Sequence, residues 1–119
     1  MPHYTDRPRG QRKVSPVVTV AAAATPEVLY QLTQGGQVAR TCIVRKIMCY
    51  SIVGNVTVQI GIGLAPAFAE IIPHLYVINL FDAEWNEDEI PEVEVAQDII
   101  VEADILGVMV QVEVEEIGT

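Results

Sequence analysis

A chain of 119 residues and 13.0 kDa supplies one domain, or one domain and a tail, and excludes two large domains. Half of its residues are hydrophobic and 6% aromatic, with 8 Gly and 7 Pro, which excludes collagen, coiled coil and low-complexity disorder. The net charge of −9 argues against nucleic-acid binding, because phosphate recognition rests on a surplus of Lys and Arg that this chain lacks.

Residues 1–16 read as an extended basic N-terminal arm. They carry Arg7, Arg9, Arg12 and Lys13 against Asp6, with prolines at 2, 8 and 16. Such a segment cannot bury a core by itself. No apolar run with a cleavage site follows the first charges, so no secretory signal is read.

From residue 17 to 119 the sequence reads as a single domain in which apolar and polar residues alternate with period two. About eight strands are predicted. The first covers 17–22. The second covers 27–33, with Val28, Tyr30 and Leu32 on one face, unless Thr25-Pro26 opens a short helix instead. Gly35-Gly36 offers a reversal into a third strand that starts at Gln37 and runs to Ser51. Adjacent Arg45 and Lys46 cannot both point outward from an undisturbed strand, which predicts a bulge there. Gly54-Asn55 turns the chain into the clearest strand, where Val56, Val58, Ile60, Ile62 and Leu64 share the inward face. Residues 71–81, interrupted by Pro73, form one strand or two short ones. Residues 82–90 read as an acidic loop with a possible helical turn at Trp85. Three strands close the chain at 92–96, 98–103 and 107–116, the last with Val108, Val110, Val112 and Val114 inward. Short strands at this spacing predict an all-β, antiparallel β-sandwich of the jelly-roll or Greek-key type.

The stretch from Ile47 to Ala69 carries no ionised side chain and is long enough to span a bilayer. Its alternation and its Gly and Pro residues read as strand and turn rather than a lipid-facing helix, so no membrane partner is expected. Cys42 and Cys49 share one extended segment. Seven residues of strand span roughly 23 Å, too far for a disulfide, so free thiols and a reducing compartment are expected.

Charge is sorted along the chain. Residues 1–46 hold all seven basic residues against two acids, and residues 47–119 hold fourteen acids and no Lys or Arg. Glu92, Glu94, Glu102, Glu113 and Glu115 fall on the polar sides of the last strands, where like charges repel across neighbouring strands. Either solvent screens them, or the basic arm lies on such an acidic sheet face of a neighbouring copy or another protein. A small domain of this composition also leaves apolar surface over, and residues 64–69 and 73–81 are the candidate interface segments.

Catalytic chemistry finds little material. His3 and His74 are the only histidines, too few for a triad or a cupin-like metal site, and two Cys with two His do not make a structural zinc site. Asp82, Glu84, Asn86 and Asp88 alternate like calcium ligands, but Glu87 stands where the loop needs Gly and Val93 where it needs Glu. Gly61-Ile62-Gly63 lacks the third glycine of a dinucleotide site. No cofactor and no metal are expected. Asp82, Glu84 and Trp85 remain as a ligand or interface loop, and a small carbohydrate-binding module built on Trp85 is the alternative reading.

A basic tail, an all-β body of about 100 residues and a surplus of association surface resemble the β-sandwich decoration, or cement, proteins on capsids of tailed bacteriophages and related viruses. The resemblance lies in layout and covers the whole chain. It implies a non-enzymatic structural protein on the virion surface, made in the host cytoplasm, that contacts the major capsid protein or another virion protein. It also implies a homo-oligomer, with a trimer favoured, in which the arm bridges to neighbours.

Overall fold

The computed structural model describes residues 11–32, 40–62 and 69–118. They form two antiparallel sheets packed face to face, with one 3-10 turn between strands. The strands are β1 (Gln11–Val14), β2 (Val18–Thr19), β3 (Glu27–Tyr30), β4 (Arg40–Tyr50), β5 (Val56–Ile62), β6 (Ala69–Val77), β7 (Ala83–Trp85), β8 (Glu94–Val95), β9 (Ile99–Ala103) and β10 (Met109–Gly118). In the first sheet the order is β1-β10-β4-β7, with β2 continuing β1 along β10 and β8 also pairing with β4. In the second it is β3-β9-β5-β6. Every connection changes sheet except β1–β2, β5–β6 and β7–β8, so the ten strands fill eight positions in the order of a jelly roll.

The strand count exceeds the expected eight because two positions are interrupted. Pro16 has no N–H to donate and breaks the first into β1 and β2. The Ser15 N–H donates to the Val112 carbonyl at 2.8 Å and its hydroxyl accepts from the Val112 N–H at 3.0 Å, so the ladder is patched across the gap. The second interruption falls where an acidic loop was expected. Residues 83–85 pair with β4, and Glu87–Glu89 then make the 3-10 turn, held by Glu89 N–H to the Asn86 carbonyl at 2.9 Å. The expected first strand, 17–22, shrinks to Val18–Thr19.

The bulge at Arg45-Lys46 is present. Glu113 faces Lys46 and Val114 faces Val44, leaving Arg45 as the extra residue, so both basic side chains reach the outer face. A second bulge corrects the reading of β3. Val28 faces Ile100 and Tyr30 faces Ile99, so Leu29 is the extra residue; it is buried while Val28 is exposed. Pro73 lies within β6, an edge strand, where Gln59 is passed between two register positions and a missing N–H costs no central ladder bond. The expected positions of Gly35, Gly36, Gln37 and Leu64 lie outside the described residues.

The core is the inward face of both sheets. Val56, Val58 and Ile60 meet Val108, Val110, Val112 and Val114, all within 1% exposure. Cys42 and Cys49 are not in a disulfide and are buried on the inward side of β4. Burial pushes the Cys49 thiol up to about 12, because the core disfavours a thiolate. The folded state therefore holds a proton that the unfolded state releases once pH passes the ordinary thiol range, and stability falls as pH rises from about 9 towards 12. Cys49→Ala is expected to flatten that alkaline decline in urea unfolding at pH 8 and pH 10. An equally steep decline in the variant would assign it to other groups. Among the described residues no helix is long and apolar enough to cross a membrane.

Candidate interaction surfaces

Alternation along β10 sends Met109, Gln111, Glu113 and Glu115 to the outer face of the first sheet, and the flanking strands bring cations to them. Arg12 in β1 approaches Glu87 at 2.9 Å and Glu113 at 3.5 Å. Arg45 holds Glu115 through two nitrogens at 2.8 and 2.9 Å, Glu92 at 3.3 Å and Glu87 at 4.0 Å. Lys46 meets Glu84 at 3.1 Å. Burial works against the charge on Arg45, yet the hydrogen bonds to Glu115 and Glu92 outweigh it and raise its pKa. The repulsion expected between acidic strands is thus offset within the chain by bases from its first 46 residues.

Removing Arg45 leaves Glu115, Glu92 and Glu87 facing one another. Arg45→Ala is expected to cost about 2 kcal/mol, since hydrogen bonds between charged groups with limited solvent access are lost. Part of that loss should return in 1 M salt, which shortens screening to about 3 Å. A salt-independent loss would mean that the arginine acts only through packing.

Among the described residues the buried polar side chains are Ser15, Ser51 and one charged group, Glu116. Continuing the even-numbered face of β10 sends Glu116 inward, where it is 6% exposed. It accepts from the Tyr30 hydroxyl and from Lys13 at 3.1 Å. Lys13 therefore ties β1 across the end of the sandwich to the second sheet. Sequence reading missed Glu116, although the adjacent pair Glu115-Glu116 at the end of an alternating strand was the available signal.

The basic residues of the arm divide. The sequence reading assigns Arg7, Arg9, Arg12 and Lys13 together to a partner surface, whereas Arg12 and Lys13 engage acids of their own chain. Arg7 and Arg9 lie outside the described residues. The acids divide too. Glu92, Glu113 and Glu115 belong to the charged face of the first sheet, and Glu94, in β8, accepts from the Thr41 hydroxyl. Glu102 lies in β9 opposite Gln59, on the outer face of the second sheet, so the five glutamates do not form one surface. There a hollow of about 190 Å³ is lined by Gln59, His74, Glu102 and Asp104 among others. Asp82 is exposed, Glu84 is paired with Lys46, and Trp85 is partly buried and packed on the core, so the indole is not a free stacking platform. Among the described residues no three His, Cys, Asp or Glu side chains are placed to hold a metal ion.

Six of the eleven exposed large hydrophobic side chains among the described residues lie at the end of the sandwich where β4 turns into β5. Three loops converge there. Leu80 N–H donates to the Ser51 carbonyl at 2.8 Å, Asn79 N–H to the Asn55 side chain at 2.8 Å, and Thr57 N–H to Asp104 at 2.9 Å. Gly107 packs so closely that a Cβ on it would meet Val53 at 3.0 Å, and its φ of +102° already requires glycine. These loops present Ile52, Val53, Ile78, Leu80, Phe81 and Leu106, each more than half exposed, with Phe81 at 66%. Leu80 is held at φ 69°, a conformation that costs a branched residue roughly 1 kcal/mol or more. Ile78, Leu80 and Phe81 fall in the interface segment 73–81 expected from sequence, while residues 64–68 of the other segment lie outside the described residues. Ile52, Val53 and Leu106 were missed, though apolar residues directly before Gly54 and Gly107 were the signal.

No protein-family model and no curated sequence matches the chain. Among solved structures it is similar to a subunit of the disulfide-linked pili that form Bacillus endospore appendages, with 11% identity, 98% of each chain covered and a TM-score of 0.46. It is similar to the Tobacco streak virus coat protein, with 8% identity, 91% and 88% covered and a TM-score of 0.46. A third similarity is to the virus-like particle of extra small virus from the giant freshwater prawn Macrobrachium rosenbergii, with 9% identity, 98% and 85% covered and a TM-score of 0.40. At these identities the likenesses are of fold only.

Proposed function

We propose that this protein is a non-enzymatic structural protein of a virion, a decoration or cement protein that stabilises a capsid shell by binding the shell protein and neighbouring copies. The observation that carries the reading is the apolar tip: six large side chains fixed outward by hydrogen-bonded loops in a chain of net charge −9. Contiguous exposed apolar surface of this kind marks protein interfaces. A jelly roll is also an architecture of viral capsid domains, although lectins and cupins share it. In this reading the tip contacts protein, and the arm residues Arg7 and Arg9 engage acidic surface beyond their own chain. The virion surface is the location, and the major capsid protein and a trimer of this chain are the partners. The carbohydrate-binding alternative has less support, because Trp85 is packed on the core and Glu84 is occupied by Lys46.

Light scattering after size exclusion, at low and high salt, tests the self-association that the reading requires. A defined multiple of 13.0 kDa at both salts is expected, since contacts through apolar side chains are not screened. A 13.0 kDa monomer under both conditions contradicts self-association and favours a ligand-binding module.

A further inference from the structure

Strand β1 is fastened to the rest of the sandwich without burying a side chain of its own. All four of its side chains are exposed, as in no other described strand, and the first apolar residue to pack on the core among those described is Val18, in β2. What holds β1 is its ladder to β10, from Gln11 opposite Glu116 to Val14 opposite Glu113, and the ion pairs of Arg12 with Glu87 and Glu113 and of Lys13 with Glu116. Ser15 closes the segment, bonded to Val112 and accepting from the Gln111 side chain at 2.9 Å through its carbonyl. Pro16 and Val17, both exposed, then join it to β2, and Pro16 has no N–H with which to continue the ladder. Residues 11–15 can therefore leave β10 without uncovering the core, turning at Pro16 and Val17.

Their departure bares the edge of β10. The Val112 N–H and carbonyl lose the partners that Ser15 gives them, and Glu113 and Glu116 lose Arg12 and Lys13. A bare strand edge is a template for another strand. Charge selects which one. Among the described residues every Lys and Arg lies in β1 or β4, the two strands that flank β10, and β4 is itself paired on both sides. The basic strand able to move is β1, and β1 of a second copy restores the same bonds in the same register. Own and exchanged strands then differ only in the hinge and in the supply of second copies, which is why exchange of an identical element is a low-cost route to association.

We propose that copies of this chain exchange β1: residues 11–15 of one copy pair with β10 of a second, with Arg12 on the partner's Glu113 and Glu87 and Lys13 on the partner's Glu116. The proposal rests on the reading of the protein as one that assembles, and it names the element that crosses between copies. Reciprocal exchange closes a two-fold pair, and exchange passed from copy to copy closes a larger ring.

Disulfide trapping between two populations of full-length protein tests it. Val14 and Glu113 are register partners, so Val14→Cys on one chain and Glu113→Cys on another are close enough to link under oxidised glutathione when β1 crosses between copies. Val14→Cys mixed with Glu102→Cys, on the second sheet, is the control. The expected result is a mixed dimer linked from position 14 to position 113, formed at least about tenfold faster than the control link. Own and exchanged strands make the same ion pairs, so salt should act on the rate of exchange and not on its extent. When the populations are mixed first and oxidised at intervals, 1 M salt should bring the link to its plateau about tenfold sooner, at an unchanged plateau. A link no faster than the control, or mixing that salt does not hasten, overturns the exchange. The solution mass of the unsubstituted protein separates the two failures: a multimer without the link removes only the exchange, whereas a monomer also removes the assembly reading.

Discussion

Glu116→Ala is expected to be among the most destabilising single substitutions in the chain, at about 3 kcal/mol in urea unfolding, because it removes the charged hydrogen bonds that a buried carboxylate accepts. The carboxylate is 6% exposed and accepts from the Tyr30 hydroxyl and from Lys13. Without it the hydrogen bond from the Tyr30 hydroxyl to β10 is lost inside the sandwich, and β1 loses its tie through Glu116 to the second sheet. Glu116→Gln keeps an acceptor for Tyr30 and removes only the charge, so its cost should be smaller, about 1 to 2 kcal/mol. If the alanine variant unfolds within about 0.5 kcal/mol of the parent, water satisfies the site and the carboxylate does not hold the two sheets together. The same substitution should loosen β1, read as faster hydrogen exchange at residues 11–14.

Leu80→Asp combined with Phe81→Asp is expected to weaken self-association by at least about 100-fold, since each apolar side chain buried at a contact contributes roughly 1.5 kcal/mol or more. Both side chains are more than 60% exposed in the single chain, so stability of the isolated fold should change little. Aspartate also tolerates the positive φ of residue 80 better than leucine does. Sedimentation equilibrium of the variant checks the first expectation and thermal unfolding the second. Unchanged association would place the contact elsewhere, and a large loss of stability would mean that the tip is part of the core rather than a contact surface.

The two-sheet architecture was legible because period two dominates the chain. Val108 to Val114 and Val56 to Ile60 announce the two inward faces without ambiguity, and the adjacent Arg45-Lys46 pair announced its bulge through the simple rule that neighbours on a strand point oppositely. The bulge at Leu29 was not legible, because Val28, Tyr30 and Leu32 alternate and a single inserted residue in an apolar run leaves no trace in the pattern. Likewise β1 read as part of a tail. Its four residues are all exposed and two are basic, and what makes them a strand is the acidic partner β10, a hundred residues later. The surfaces divided for the same reason. Periodicity gives the side of a sheet but not which sheet a strand joins, so Glu102 grouped with Glu113 and Glu115 in sequence and parted from them in space. The strand at Trp85 was read as loop because the three residues of β7 are too short to show alternation, and their pairing with β4 sets the indole against the core.

Hydrogen–deuterium exchange of the full-length protein at low and high concentration tests most directly whether the apolar tip is a contact surface. The account predicts that amides at 52–54, 78–81 and 105–107 slow as concentration rises, while those of Gln59 and Glu102 on the outer face of the second sheet do not. Tip amides that exchange at one rate across that range would contradict it.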